Sequence, residues 1–117
     1  ILLYSTIAVQ QGFTNHTVVS TAKGAIEGLT LSLAAEFAPK IRVNCIAPSL
    51  TDAKMTQKLI SNETIKKAIE NMHPLPKIGS GEDFADIGSF LLSDKNSWIT
   101  GQIFHIDGGR STLRIKS

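Results

Sequence analysis

The sequence contains a single cysteine and no long uninterrupted hydrophobic run. One cysteine excludes an internal disulfide and a zinc site built from several cysteines. The longest apolar stretches have the length of strands, and the first residues lack the basic start and small-residue cleavage site of a signal peptide. These absences predict a cytoplasmic protein with no membrane partner. Cys45, inside an apolar run, is predicted to be a buried strand thiol.

Neither sign of charge predominates, because twelve basic and ten acidic residues give a net charge of only +2. So small and scattered an excess favours neither nucleic acid nor an anionic membrane as a partner. His73 and His105 have no further ligand at metal-binding spacing, so no metal site is predicted. Composition therefore excludes several classes of partner without identifying one.

What is present is an alternation of strand and helix patterns, which predicts an α/β fold with a parallel sheet. In chain order, the predicted strand, helix, strand, helix and strand occupy residues 1–6, 17–38, 41–46, 80–93 and 102–106. A loop through Gly12 and Asn15 follows the first strand. The largely polar residues 51–76 are interpreted as a flap, because prolines break their helical patches.

Two further features concern the limits of the chain and its surfaces. The sequence opens inside an apolar strand pattern with no initiator methionine, so we expect it to be a segment of a longer protein. The small residues Gly24, Gly28, Ser32 and Ala35 line one strip of the first long helix, where they lower helix propensity. Such a strip indicates a close approach by another backbone, either that of the chain's own sheet or that of a second subunit.

Three stretches, residues 19–37, 41–48 and 98–109, together resemble the C-terminal half of the short-chain dehydrogenase/reductase family. The resemblance implies the C-terminal part of a Rossmann-like doubly wound parallel sheet, with three strands, two main helices and a flap. It also implies a left-handed final crossover, which would put the two helices on opposite faces. Residues 1–109 would form this half-domain, and residues 110–117 a loose, basic C-terminal tail.

The same resemblance indicates the catalytic positions. In the family, a tyrosine four residues before a lysine exchanges the substrate proton, and the lysine binds the nicotinamide ribose. Here Val19 precedes Lys23, so the lysine is kept and the phenol is absent. A serine about 13 residues before the tyrosine polarises the substrate carbonyl in the family; Thr6 occupies that position, with Ser5 beside it. The alternative for Lys23 is an ordinary solvent-facing helix lysine.

His16 is the candidate to replace the missing acid, because a histidine can exchange protons near neutral pH. The alternative is a loop or helix-cap residue. In the family, a Pro-Gly-x-x-x-Thr turn contacts the nicotinamide carboxamide; here Pro48 and Ser49 begin this turn, and Ala53 replaces the threonine. Thr51 is the candidate to supply the missing hydroxyl from two residues earlier. Ser49 stands where the family has a glycine, which weakens that correspondence.

The resemblance implies NAD or NADP as the cofactor of a full-length parent. No Gly-rich dinucleotide-binding turn occurs in the sequence, so we expect this chain alone to bind no cofactor and to be inactive. Two functions remain open. One is a segment of an atypical NAD(P)-dependent oxidoreductase that acts on a small carbonyl or alcohol substrate. The other is a non-catalytic relative used for binding or assembly; in either case a homo-oligomer is expected.

Overall fold

The computed structural model describes residues 1–116. Its strands are β1 (Leu2–Tyr4), β2 (Asn44–Pro48) and β3 (Ile103–Ile106). Its helices are α1 (Ala8–Gln11), α2 (Thr17–Phe37), α3 (Gln57–Ile60), α4 (Glu63–Glu70) and α5 (Gly81–Leu92), with a 3₁₀ turn at Lys54–Thr56. None of the helices in these residues has the length and hydrophobicity needed to cross a bilayer.

The three strands form one parallel sheet in the order β1-β2-β3. Leu3 pairs with Cys45, and Cys45 pairs with Ile103 on its other side. Residues 43–47, which include most of the central strand, are buried, as expected for a parallel strand covered on both faces. The predicted α/β parallel sheet is confirmed.

The two long helices cover opposite faces of this sheet. Ile46 packs with Phe84 and Leu91 of α5 in the hydrophobic core. Cys45, the preceding residue, faces Thr30 of α2 instead. Because successive strand residues point to opposite faces, α2 and α5 must lie on opposite sides. Cys45 is fully buried, as predicted, and this burial raises the pKa of its thiol.

Some element boundaries differ from the prediction. β2 begins at Asn44 rather than at residue 41, because Val43 bonds outside the ladder: its N–H donates to Thr100 Oγ1 and its carbonyl accepts from Gly101 N. The predicted loop after β1 contains the short helix α1, which ends at Gly12 with φ +64°. A four-residue helix is too short to show a helical period in the sequence.

The end of the flap is hydrogen-bonded to the segment that follows β3, and the first residues of the tail form a turn. His73, at the end of the flap, is 5% exposed, and Leu75 N donates to Gly108 O at 3.0 Å. In the tail, Leu113 N donates to Gly109 O at 2.9 Å. The expected loose tail is therefore wrong for residues 110–113, which form a hydrogen-bonded turn because their N–H groups donate to the backbone carbonyls of Asp107 and Gly109 and to the Asp107 carboxylate.

Candidate active site

The candidate site lies where the carboxyl ends of β1 and β2 meet. Ile7 N donates to Pro48 O at 3.1 Å, which ties the segment after β1 to the turn after β2. Ligands of open parallel α/β sheets bind outside the carboxyl ends of the strands. The structure therefore brings the segment that contains Thr6 next to the turn that contains Ser49.

Lys23 and Thr6 both lie at the end of β1. Lys23 Nζ donates to Tyr4 O at 3.2 Å, which places the ammonium beside this strand end. Thr6 Oγ1 accepts from Ala8 N at 3.3 Å, and its own hydrogen remains able to donate. Val19 lies one turn before Lys23 on α2, so the two share a helix face. Val19 is 39% exposed and carries no proton to exchange.

Ser5 is held differently from its neighbour Thr6. Its side chain is buried, and Oγ donates to Glu27 Oε2 of α2 at 2.6 Å. Gln10 Nε2 donates to the other oxygen of the same carboxylate at 3.1 Å. Ser5 therefore joins the end of β1 to α2, while Thr6 accepts from the N–H of Ala8, the first residue of α1.

His16 stands immediately before α2, in the N-cap position. Its Nδ1 lies 2.7 Å from Thr14 O, and its ring meets the Phe13 ring edge-on with centroids 5.5 Å apart. A carbonyl can only accept, so Nδ1 carries a proton, and in the neutral ring Nε2 is the acceptor. His16 thus stands at the N-cap position, but its side chain contacts the preceding loop and makes no capping hydrogen bond to α2. These contacts leave Nε2 as the acceptor of the neutral ring.

Ser49 forms a directed hydrogen-bond chain with two residues distant in sequence. His73 Nδ1 lies 2.8 Å from Ile69 O and must donate to it. In the neutral ring Nε2 therefore accepts, and the Ser49 hydroxyl, 2.7 Å away, donates. Arg110 donates in turn to Ser49 Oγ at 3.4 Å. This series of hydrogen bonds links the tail, the turn after β2 and the flap.

The other predicted cofactor contacts are also occupied within the chain. Thr51 Oγ1 donates to Ser49 O at 3.0 Å, and Pro48 O accepts from Ile7 N. A cavity of about 170 Å³ opens beside this turn. Its lining includes Ser49, Thr51, His73, Phe84 and Asp107.

Asp107 fixes the turn that carries Arg110. Its carboxylate accepts from the backbone N–H groups of Gly109 and Ser111, each at 2.9 Å, and from the Ser111 hydroxyl. Partial burial opposes ionisation, but the hydrogen bonds from Ser111 and Gly109 outweigh it, so the pKa of Asp107 is lowered. The turn is therefore most stable with Asp107 ionised.

Sequence reasoning did not find His73 or Arg110 as site residues. Ser49 and His73 are 24 positions apart, and Ser49 and Arg110 are 61 apart. No periodicity or spacing rule links residues over such distances. Only the return of the flap and the tail to the sheet brings them together.

Comparisons with known proteins show the family to which the chain belongs. Residues 1–111 match the family model described as enoyl-(acyl carrier protein) reductase. An uncharacterized oxidoreductase of Mycobacterium tuberculosis is 44% identical over 90 residues, which cover 76% of this chain and 36% of that protein. L-xylulose reductase of Bos taurus is 40% identical over 106 residues, which cover 90% of this chain and 43% of that protein.

Among solved structures, that of ElxO with NADP bound superimposes with a TM-score of 0.87 and 36% identity, covering 97% of this chain and 46% of that chain. The chain thus spans less than half of the length of each of these three proteins. The matched residues include both long helices, all three strands and the candidate site. The chain belongs to the short-chain dehydrogenase/reductase family of oxidoreductases.

Proposed function

We propose that this chain supplies the nicotinamide end and the substrate side of the active site in an atypical NAD(P)-dependent oxidoreductase that interconverts small carbonyl compounds and alcohols. The observation that carries the proposal is the position of Lys23, whose Nζ lies 3.2 Å from Tyr4 O at the carboxyl end of β1. An ammonium at that edge is a donor for ribose hydroxyls. The NADP-bound relative supports the cofactor class.

The chain's own groups have distinct roles in this proposal. Lys23 donates to the ribose, and Thr6 donates its hydroxyl hydrogen to the substrate oxygen, which polarises the carbonyl. The Pro48–Thr51 turn would hold the carboxamide of the bound cofactor, although Ser49 and Thr51 already form hydrogen bonds within the chain. When bound, the nicotinamide supplies or accepts the hydride.

The residues of this chain fit one end of the cofactor only. The donor set at the strand ends suits a ribose and a carboxamide, but the sequence contains no Gly-rich turn to hold a pyrophosphate. We therefore propose that the 117-residue chain alone binds NAD(P) very weakly. Micromolar binding of NADH or NADPH to this isolated chain, measured by titration calorimetry, would overturn that statement.

The proton must come from a group other than Val19. His16 is the candidate, because its Nδ1–H contact with Thr14 O leaves Nε2 to exchange a proton. A non-catalytic relative that uses the fold for binding or assembly is the alternative. The aliphatic Val19 and the engagement of Ser49 by His73 favour this alternative.

Cofactor binding and turnover by the full-length protein separate the two functions. Lys23→Gln removes one charge-assisted hydrogen bond, so NADH or NADPH affinity should fall about tenfold or more. Lys40→Gln, an exposed lysine just after α2, is the matched control and should bind as wild type does. Equal binding by Lys23→Gln would contradict the proposed role. Cofactor binding without oxidation of NAD(P)H by any of a panel of aldehydes and ketones would favour the binding protein.

A further inference from the structure

We propose that a cleft between the loop before α2, the end of the flap and the C-terminal turn binds an anionic group of the substrate. The substrate class would then be carbonyl or alcohol compounds that carry a carboxylate or phosphate on an apolar body. This inference rests on the proposed function in naming a substrate for it. Its binding test, however, needs no turnover.

The cleft has the size and surface of a small-molecule site. Its volume is about 400 Å³, within the usual range of ligand pockets. The walls are largely apolar and include Phe13, Met72 and Leu113. The charged groups on the lining are Arg110 and Arg114. A largely apolar cleft lined by two cationic side chains is suited to an amphiphilic anion.

Within residues 1–116, neither guanidinium has a carboxylate partner. The ion pair found there joins Lys77 to Asp83, and no acidic side chain lines the cleft. Asp107, the acidic residue closest in sequence to Arg110, is already bonded to Gly109, and to Ser111. Arg110 is half-buried, whereas Arg114 is exposed. As a half-buried cation without an anion, Arg110 loses hydration without full compensation. A bound anion would supply the missing partner.

Arg110 is oriented before any ligand arrives. Its guanidinium lies 4.6 Å from the centroid of the Phe13 ring, and one nitrogen lies 3.4 Å from Ser49 Oγ. These contacts use one face and one donor, so other N–H groups stay available for a planar carboxylate or a phosphate. One guanidinium nitrogen of Arg114 donates to the carbonyls of Leu113 and Arg110, and the remaining N–H groups are available to a ligand. The two side chains provide a partly organised anion site.

The cleft adjoins the candidate active site on two sides. Phe13, one wall of the cleft, contacts His16 edge-on, and His16 lies three residues before Val19. Arg110 contacts Ser49, in the turn assigned to the nicotinamide carboxamide. A substrate anchored by its anion at Arg110 would therefore have its apolar body next to the proposed reaction centre.

Titration calorimetry on the full-length protein tests this inference with octanoate, octyl phosphate and 1-octanol. Wild type should bind at least one of the two anions about tenfold or more tightly than 1-octanol. Arg110→Gln and Arg114→Gln should each weaken anion binding about tenfold while 1-octanol binding stays unchanged. Lys116→Gln removes the same charge from the same tail outside the cleft, and it should bind as wild type does. A preference for octanoate or for octyl phosphate identifies the carboxylate or the phosphate as the natural group.

Equal affinity for 1-octanol and both anions would overturn the inference. So would unchanged anion binding in Arg114→Gln, an exposed residue whose replacement should not prevent folding, or an equal loss in Lys116→Gln. Running each titration with and without saturating NADPH keeps the two proposals apart. Anion binding without any cofactor binding would support the anion site in the cleft and contradict the proposed oxidoreductase function. Oxidation of NADPH by a carbonyl substrate without any preference for anions would support the oxidoreductase function and contradict the anion site.

Discussion

Ser49 Oγ lies 2.7 Å from Nε2 of His73, a side chain that is 5% exposed. Because Nδ1 donates to Ile69 O, Nε2 depends on the Ser49 hydroxyl for its hydrogen bond. The contact joins the turn after β2 to the end of the flap. It gives the serine at this position a role that a glycine could not perform.

Ser49→Ala should therefore destabilise the protein. The substitution leaves a buried histidine acceptor without its donor, which costs about 1–3 kcal/mol of unfolding free energy. Ser97→Ala, in an exposed loop, should change it by less than about 0.5 kcal/mol. Urea unfolding of both variants measures the difference. Equal stability of the two would show that the hydroxyl contributes nothing to holding the flap.

Asp107 should make stability depend on pH in the acid range. Its pKa in the folded protein is lowered, below the unfolded value of about 3.9. The resulting stabilisation is present above about pH 4 and is lost as the pH falls through the folded pKa. Asp107→Asn should lower the unfolding free energy at pH 7 and flatten its decline between about pH 5 and 2.

Denaturant unfolding at several pH values checks the Asp107 prediction. Asp94→Asn, an exposed carboxyl just after α5, is the control and should follow the wild-type curve. An Asp107→Asn curve parallel to wild type through the acid range would mean that the carboxylate does not stabilise the turn.

Gly28→Leu tests the proposed homo-oligomer. A Cβ added at Gly28 meets no atom within 4 Å, so the strip does not contact the chain's own sheet at this point. Leucine also has the better helix propensity, by about 0.8 kcal/mol. Folding should therefore be preserved, whereas a close helix contact between subunits should be blocked.

Light scattering on the full-length protein measures the effect of Gly28→Leu on assembly. Ala22→Leu adds similar bulk to an exposed position of the same helix away from the strip, and it should assemble as wild type does. An unchanged mass for Gly28→Leu would exclude this strip from the subunit interface.

Much of the fold follows from local patterns. The apolar period predicted a helix from about residue 17, and α2 begins at Thr17. The serine and aspartate of the Ser80–Asp83 capping box predicted a helix start at that point, and α5 begins at Gly81. Parallel pairing followed from the alternation of strands and helices. These predictions succeeded because propensity, capping and burial favour the same structure at those residues.

The rest of the site depends on contacts that no local pattern encodes. His73 looked like an isolated histidine, and its partner Ser49 lies across the flap. Arg110 looked like part of a loose basic tail. In the structure, the Asp107 carboxylate stabilises the turn that contains Arg110, and the guanidinium of Arg110 stacks on the Phe13 ring. Lys23 and Thr6 were placed through family resemblance. Long-range hydrogen bonds of this kind become visible only when the chain's path is known.

The central claim is that the chain keeps the frame of a reductase site from which one phenol is missing. Val19→Tyr in the full-length protein would place a phenol one turn from Lys23, on the same helix face. General acid catalysis contributes about a hundredfold to ten-thousandfold, so carbonyl reduction by NAD(P)H should rise by at least about a hundredfold. Val19→Phe, which adds the ring without the hydroxyl, should not change it.

His16→Ala completes the comparison, because it should slow the wild type if His16 supplies the proton and should affect Val19→Tyr little. The decisive measurement is the carbonyl-dependent rate of NAD(P)H oxidation by Val19→Tyr beside Val19→Phe, with cofactor binding measured for both. We expect a large gain in rate for the tyrosine variant alone. Equal rates with cofactor bound normally would contradict this expectation and would favour the non-catalytic binding protein.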